Sequence, residues 1–274
     1  MNIDGLFEWS TATDTGRQRS KNEDALAVDA TLGVFILADG MGGHRGGEIA
    51  SNLAISVLLS RLKQTLPLLV PQGQIDEELG YTRESLAIRD AVVKANQAIY
   101  EAAQEQTKYE GMGTTLVIMA CSENRLSIAH VGDSRLYRFR NDQLKQITSD
   151  HTMLQELVDR GFYTSEEAQR SMHRNLVTRA LGVEETVAVD IQEDLVLPGD
   201  VYLLCSDGLH DLVDDTLLTE RLAACEDLEI CAQTLVNDAN ARGGKDNISI
   251  ILARPIGGFP SKRAWYTRFG KWFR

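Results

Sequence analysis

Residues 33–44 read GVFILADGMGGH. The apolar run is too short for a helix and carries Val, Phe and Ile, so 33–38 reads as a strand buried on both faces. Asp39 then ends that strand and emerges at a sheet edge. Gly40 lets the backbone turn sharply, which can aim its carbonyl at a cation. Immediately downstream, Gly46–Leu66 reads as a helix, with Ile49, Leu53, Val57 and Leu58 as its apolar stripe and Arg61 and Lys63 outside it.

The pairing of an apolar run with an aspartate in a glycine-bearing turn recurs along the chain. NEDA (22–25), AHVGDSR (129–135), LLCSDG (203–208) and GGKDNIS (243–249) present Asp24, Asp133, Asp207 and Asp246. Asp207 ends the strand VYLLCS and Asp246 begins the strand DNISIILA. Carboxylates are costly to gather unless a cation offsets them. Oxygen-only ligands favour hard divalent ions such as Mg²⁺ or Mn²⁺. An enzyme built around a multi-metal site is the expectation.

The remaining elements fix the fold class. Residues 6–13 read as a strand, 67–81 as a loop with Pro67, Pro71, Gly73 and Gly80, and Arg83–Gln106 as a helix with Leu86, Val93, Ile99 and Tyr100 apolar. Strand-like runs at 114–121, 125–131, 134–140 and 143–147 lie close enough for a meander of hairpins. Short helices are expected at His151–Arg160 and Ser165–Arg170, strands at 186–192, 200–205 and 247–253, and a helix at Leu228–Ala241. Strands and helices come in groups, which favours a layered α+β fold over alternating βαβ units.

Composition excludes several function classes. The 274 residues include 43% hydrophobic and 25% charged residues, ordinary values for a globular chain. No apolar run reaches the ~18 residues of a spanning helix, and MNIDGLFEWS lacks the regions of a signal peptide. Four cysteines without CxxC spacing, with Cys121 and Cys205 in apolar runs, fit a reducing cytoplasm. The net charge of −12 argues against nucleic acid. Residues 254–274 carry six basic residues and no acid, so removing that +6 leaves −18 on the rest.

The ordered motifs DTGxxRxxNEDA (14–25), ADGMGGH (38–44), GMGTT (111–115), HVGDSRxYR (130–138), TSDH (148–151), TRALG (178–182), CSDGLxD (205–211) and GGKDNIS (243–249) resemble the PP2C (PPM) family of metal-dependent Ser/Thr protein phosphatases, in its compact bacterial form. The resemblance runs from about Thr13 to Ala253. It implies a four-layer α-β-β-α sandwich of two antiparallel sheets flanked by helix pairs. It places Asp39 between two Mn²⁺ or Mg²⁺ ions, the Gly40 carbonyl on one and Asp207 and Asp246 on the other. A hydroxide bridging the two is the implied nucleophile. Asp133 with Asp207 matches a third, weaker site, and Glu23 and Asp24 match residues that hold metal-bound waters. Arg19 occupies the phosphate-binding position, and Arg17, two residues away, reads as a solvated charge. A general acid is implied near His44, whose ordinary pKa suits it near neutrality. His130 and His151 read as structural, as do Asp200 and Asp211. A flap over the substrate groove is implied at about 154–175.

The expected activity is hydrolysis of phosphoserine and phosphothreonine in proteins, opposing a bacterial Ser/Thr kinase, by a cytoplasmic monomer. A catalytically silent PP2C-like domain that binds phosphoproteins and a phosphatase for small phosphorylated metabolites are the alternatives. The chain divides into a catalytic domain at 1–253 and a basic, aromatic tail at 254–274. If that tail is helical, Trp265, Phe269, Trp272 and Phe273 share one face. Such a segment can lie on an anionic membrane surface or dock on the acidic body.

Overall fold

The computed structural model describes residues 5–42, 46–105, 107–164 and 176–256. In chain order its elements are β1 (Phe7–Asp14), β2 (Asp24–Asp29), β3 (Val34–Met41), α1 (Gly46–Thr65), α2 (Arg83–Glu105), β4 (Gly113–Thr114), β5 (Leu116–Ser122), β6 (Arg125–Val131), β7 (Arg135–Arg140), β8 (Gln143–Gln146), α3 (Met153–Asp159), β9 (Asp190–Leu195), β10 (Val201–Cys205), α4 (Asp207–His210), α5 (Asp215–Ala223), α6 (Leu228–Ala241) and β11 (Ile248–Pro255). One sheet has the order β1-β11-β10-β7-β8 and the other β2-β3-β5-β6-β9, with β4 added to β3. All named pairs are antiparallel.

Three apolar layers hold these sheets in an α-β-β-α stack. The strand period of two sends Val34, Ile36 and Ala38 of β3 toward α1 and α2, and Phe35 and Leu37 into the gap between the sheets. β10 divides the same way: Val201, Leu203 and Cys205 face α5 and α6, while Tyr202 and Leu204 face the other sheet. β3 is therefore apolar from Val34 to Ala38, and β10 along its whole length. Each fully buried Leu, Ile or Phe contributes about 1.5–3 kcal/mol.

Several expectations need correction. The stripe of α1 is turned by one residue: Ala50, Ala54, Leu58 and Leu62 are buried, and Ile49, Leu53 and Val57 flank them. The small alanines allow α1 to lie close to its neighbours. In α2, Val93 is exposed and Ile88, Val92, Ala95 and Ile99 form the buried face. The four runs between 114 and 147 are not one meander. β5 and β6 pair in one sheet, whereas β7 and β8 pair in the other. The crossing is made at Gly132, at φ +103°, where a Cβ would stand 2.6 Å from Cβ of Thr115. β2 and α5 were not foreseen. β11 runs through Pro255, and Arg254 pairs with Glu8 at 2.8 Å, so the last strand enters the stretch read as tail. The expected helix at 165–170, residues 165–175 of the expected flap, tail residues 257–274 and His44 lie outside the described residues.

Candidate active site

The ends of both sheets bring the aspartates together. In the β2–β3 pair Asp24 lies directly opposite Asp39. β3 does not stop at Asp39 but continues through Gly40 and Met41, which pair with Thr114 and Gly113 of β4. Thr114 and Thr115 hold Asp39 by its main chain. The Thr115 N–H and the Thr114 hydroxyl donate to the Asp39 carbonyl, each at 2.8 Å, and the Asp39 N–H donates to Thr115 Oγ1 at 3.2 Å. At Gly40 a Cβ would stand 2.2 Å from the Gly47 carbonyl oxygen and 2.6 Å from that of Glu23. No side chain fits there, so the backbone itself forms that wall.

Asp207 also departs from its expected place. β10 ends at Cys205, Ser206 is extended, and Asp207 opens the short helix α4. The Ser206 hydroxyl donates to Asp24 Oδ2 at 3.0 Å, which joins this turn to β2. Asp246 precedes β11 by two residues. Its neighbour Asn247 accepts from the Glu23 N–H at 2.8 Å and donates to the carbonyls of Thr15 and Lys21 at 2.9 and 2.8 Å. The two ends of the chain are thereby tied into one rim.

Asp39, Asp133, Asp207 and Asp246 line one cavity of about 470 Å³, together with Gly40, Glu23 and Arg19. Asp24 does not line it and stands behind Asp39. Protein packs round Asp39, Asp133 and Asp207 and desolvates their carboxyls. Asp39 is raised well above the usual carboxylate range, first by burial and then by Asp24, Asp207, Asp133 and Asp246. Asp207 is raised by burial, Asp133 and Asp246, and Asp133 is pushed up to about 6 by burial and Asp150. Oδ1 of Asp207 and Oδ1 of Asp24 are buried with no donor among the described residues. Clustered oxygens short of donors and held above their ordinary pKa are what a hard divalent cation satisfies. The donor set fits Mn²⁺ or Mg²⁺.

Comparison with known proteins agrees with this geometry. Residues 13–242 match the family described as protein phosphatase 2C. The chain belongs to this family. Among curated members it is 37% identical over 243 residues to the serine/threonine phosphatase stp of Listeria monocytogenes, covering 88% of this chain and 92% of that one. It is 40% identical over 250 residues to the serine/threonine protein phosphatase PstP of Mycobacterium tuberculosis, covering 90% of this chain and 45% of that longer protein. The crystal structure of that PstP matches with a TM-score of 0.81 at 36% identity, over 91% of this chain and 99% of the solved one. A PstP catalytic domain solved in complex with two manganese ions matches with a TM-score of 0.78 at 35% identity, over 92% and 99%.

In this PP2C chain Arg19 is half-exposed and donates to Asp246 Oδ2 at 2.5 Å, so its guanidinium stands at the cavity as the counter-charge of a candidate ligand. That hydrogen bond and the Asp246 charge raise its pKa further. Arg17 instead ties its N–H to the Gly244 carbonyl at 2.7 Å, and its side chain does not line the cavity. Glu23 lines the cavity, with its carboxyl raised by burial. Thr114, Thr115, Ser206 and Asn247 of the PP2C site were quoted within motifs but given no role. For Ser206 and Asn247 the signal is a place beside an aspartate, where hydroxyl and amide side chains hold a turn; Thr114 and Thr115 have no aspartate near them in sequence, and only the folding of the strands brings them to Asp39.

Proposed function

We propose that this PP2C chain removes phosphate from phosphoserine and phosphothreonine in proteins, with two divalent cations held by Asp39, the Gly40 carbonyl, Asp207 and Asp246. A third, weaker cation is assigned to Asp133 with Asp207. The observation that carries the reading is the gathering of four aspartates and Glu23 into one cavity, where Asp207 Oδ1 has no donor among the described residues. Such cations, when bound, supply charge at the phosphoryl group and acidify water into a nucleophile near neutral pH.

The protein's own groups do the rest. Arg19 is placed to exchange Asp246 for two oxygens of the phosphate dianion, a match that a planar guanidinium makes well. Glu23 holds water at the cavity wall, and Asp24, facing Asp39 from behind, orients it. His44 is assigned the proton for the leaving alkoxide. Phosphorylated proteins are the substrates, a bacterial Ser/Thr kinase is the opposing activity, and the enzyme works as a cytoplasmic monomer. The catalytic domain is assigned to residues up to Ile256, because β11 runs through Pro255 and Arg254 pairs with Glu8; a flap is assigned to 154–175, of which residues 165–175 lie outside the described residues. Residues 257–274 are assigned as a tail for an anionic membrane surface, and a chain ending at Ile256, which keeps β11 and Arg254, should lose liposome binding and keep turnover.

The test is turnover of a phosphothreonine peptide beside a phosphotyrosine peptide and small phosphorylated metabolites, with Mn²⁺ and with EDTA. Preferred, Mn²⁺-dependent hydrolysis of the phosphothreonine peptide is the expected result. No turnover of any substrate at saturating Mn²⁺ would leave the silent-domain reading, and preference for metabolites would replace the protein substrate.

A further inference from the structure

A second group of metal-competent side chains stands apart from the acidic cavity. The ligating atoms of His130, His151 and Asp190 lie within 4.8 Å of one another. His130 on β6 and Asp190 on β9 are opposite in register, and the His151 ring stacks on that of His130 with centroids 4.7 Å apart. The hydrogen bonds decide what the group does. His130 Nε2 lies 2.8 Å from the Ser149 carbonyl, which can only accept, so Nε2 carries the proton. The Gly132 N–H donates to His151 Nδ1 at 3.0 Å. That backbone hydrogen is fixed in direction, so Nδ1 holds the lone pair and Nε2 the proton. The Nε2 proton faces Asp190 Oδ2 at 3.3 Å; Arg179 Nη1, 3.0 Å from His151 Nε2, has acceptors for both its hydrogens in Asp190 Oδ1 at 2.7 Å and the Ala188 carbonyl at 3.3 Å, so it need not donate to that ring nitrogen.

A cation at His151 Nε2 would have to expel that proton and displace Arg179. It would also put a proton on Nδ1 against the Gly132 N–H. The group is therefore a hydrogen-bonded clamp around a neutral ring. Burial, His130 and Arg179 agree with this, holding His151 down to about 4.

What the clamp holds is the acidic cavity. The His151 N–H donates to the Gly132 carbonyl at 2.9 Å, so one residue satisfies both polar groups of Gly132. The His151 carbonyl accepts from Thr178 at 2.8 Å, and Thr152 bridges to Val177. Asp133 and Val177 both line the cavity. His151 is thus where the turn bearing Asp133 and the strand bearing Val177 are joined, at a glycine whose backbone would otherwise be the freest in that turn.

We propose that His151 is a positioning residue: by accepting from Gly132 it fixes the Gly132–Asp133 turn, and so sets how strongly Asp133 contributes to cation binding. This rests on the assignment of the cavity as the metal site. The test compares His151→Leu, which has no acceptor, with His151→Asn, whose Oδ1 reaches the place of Nδ1. In the full-length protein, His151→Leu should raise the Mn²⁺ concentration for half-maximal turnover of a phosphothreonine peptide about tenfold, the scale of one lost hydrogen bond. His151→Asn should return it to within about twofold. The shift should vanish when His151→Leu is made on an Asp133→Asn background, because the effect passes through Asp133.

An unchanged Mn²⁺ requirement in His151→Leu, or the same shift with and without Asp133, overturns the proposal. If His151→Leu does not fold, His151→Gln takes its place, since its amide reaches the Nε2 position. Long-range ¹H–¹⁵N spectra of the wild type give a readout without turnover: Nδ1 should be the unprotonated nitrogen of His151, and a proton on Nδ1 also overturns the clamp. Wild-type turnover that ignores EDTA removes the metal reading and this proposal together. It is told apart because it appears in the wild type rather than in the variants.

Discussion

Asp200 and Asp207 bracket one strand, β10, yet are compensated in opposite ways. Asp200 is 0% exposed and receives four donors: Arg140 Nε and Nη2 at 2.6 and 2.8 Å, the Leu197 N–H at 2.7 Å and the Tyr202 hydroxyl at 2.8 Å. Asp207 faces Asp133, Asp246 and Asp211, and its Oδ1 has no donor among the described residues. The first carboxylate is balanced within the chain; on the proposed reading the second is balanced by a cation from solution. One end of the strand therefore holds the fold together, and the other holds it apart until a cation arrives. The same residue type is satisfied by donors at one end of the strand and lines the acidic cavity at the other.

The sharpest way to break this contrast is to remove each carboxylate. Asp207→Ala, or Asp39→Ala, should lower turnover of p-nitrophenyl phosphate by at least about 100-fold, the scale of one electrostatic group lost from a transition state. In EDTA these variants should melt no lower than the wild type, because repulsion is relieved. A variant that keeps activity refutes the site. Asp200→Ala should do the reverse. It strands Arg140, which is 21% exposed and so partly hydrated, and should cost about 3 kcal/mol. That is roughly 6–12 °C in melting temperature for a chain of this size, with turnover per folded molecule retained. An Asp200→Ala protein that melts like the wild type would show that the pairing is dispensable.

Cation binding sharpens the same contrast. Mn²⁺ at about 100 times its Kd should stabilise the wild type by about 2.7 kcal/mol, measured by thermal shift. Asp200→Asn should keep that gain and Asp207→Ala should lose it. The smallest effect is on pH. The folded pKa of Asp133 is raised, to about 6, above an unfolded value of about 3.9. A raised folded pKa stabilises fully below the unfolded value and is lost as pH rises through the folded one. In EDTA, the stability difference between wild type and Asp133→Asn should therefore shift in favour of the wild type as pH falls from 7 to 4. A difference that is flat over that window would mean that Asp133 is not desolvated in the metal-free protein.

Elements with self-contained signals were legible in the chain. β6 at 125–131 and α6 at 228–241 lie where periodicity puts them. β2 was missed because DALAVD is short and ends in aspartates at both sides, and its strand state depends on pairing with β3. α5 was missed although Asp214 caps it by accepting from the Leu217 N–H at 2.9 Å, a local signal left unused. The split of the 114–147 meander could not be read locally, since the Gly132 crossing packs against Thr115, between β4 and β5. For the site, Asp39, Asp207 and Asp246 stood out by type and setting. The role of Asn247 did not, because its work is to hold the backbone of residues 15–23, more than 220 positions away.

β1 pairs with β11 from Phe7 opposite Pro255 to Asp14 opposite Ile248. The first strand of the chain therefore waits for the last. On a growing polypeptide, Asp39 and Asp207 emerge before β11, but the turn bearing Asp246 is seated only when that strand docks between β1 and β10. Closing so long a loop carries an entropic cost and slows assembly. On the proposed reading the phosphatase centre is in this sense a completion signal: the cations' full set of oxygens comes together only once β11 has been synthesised and docked.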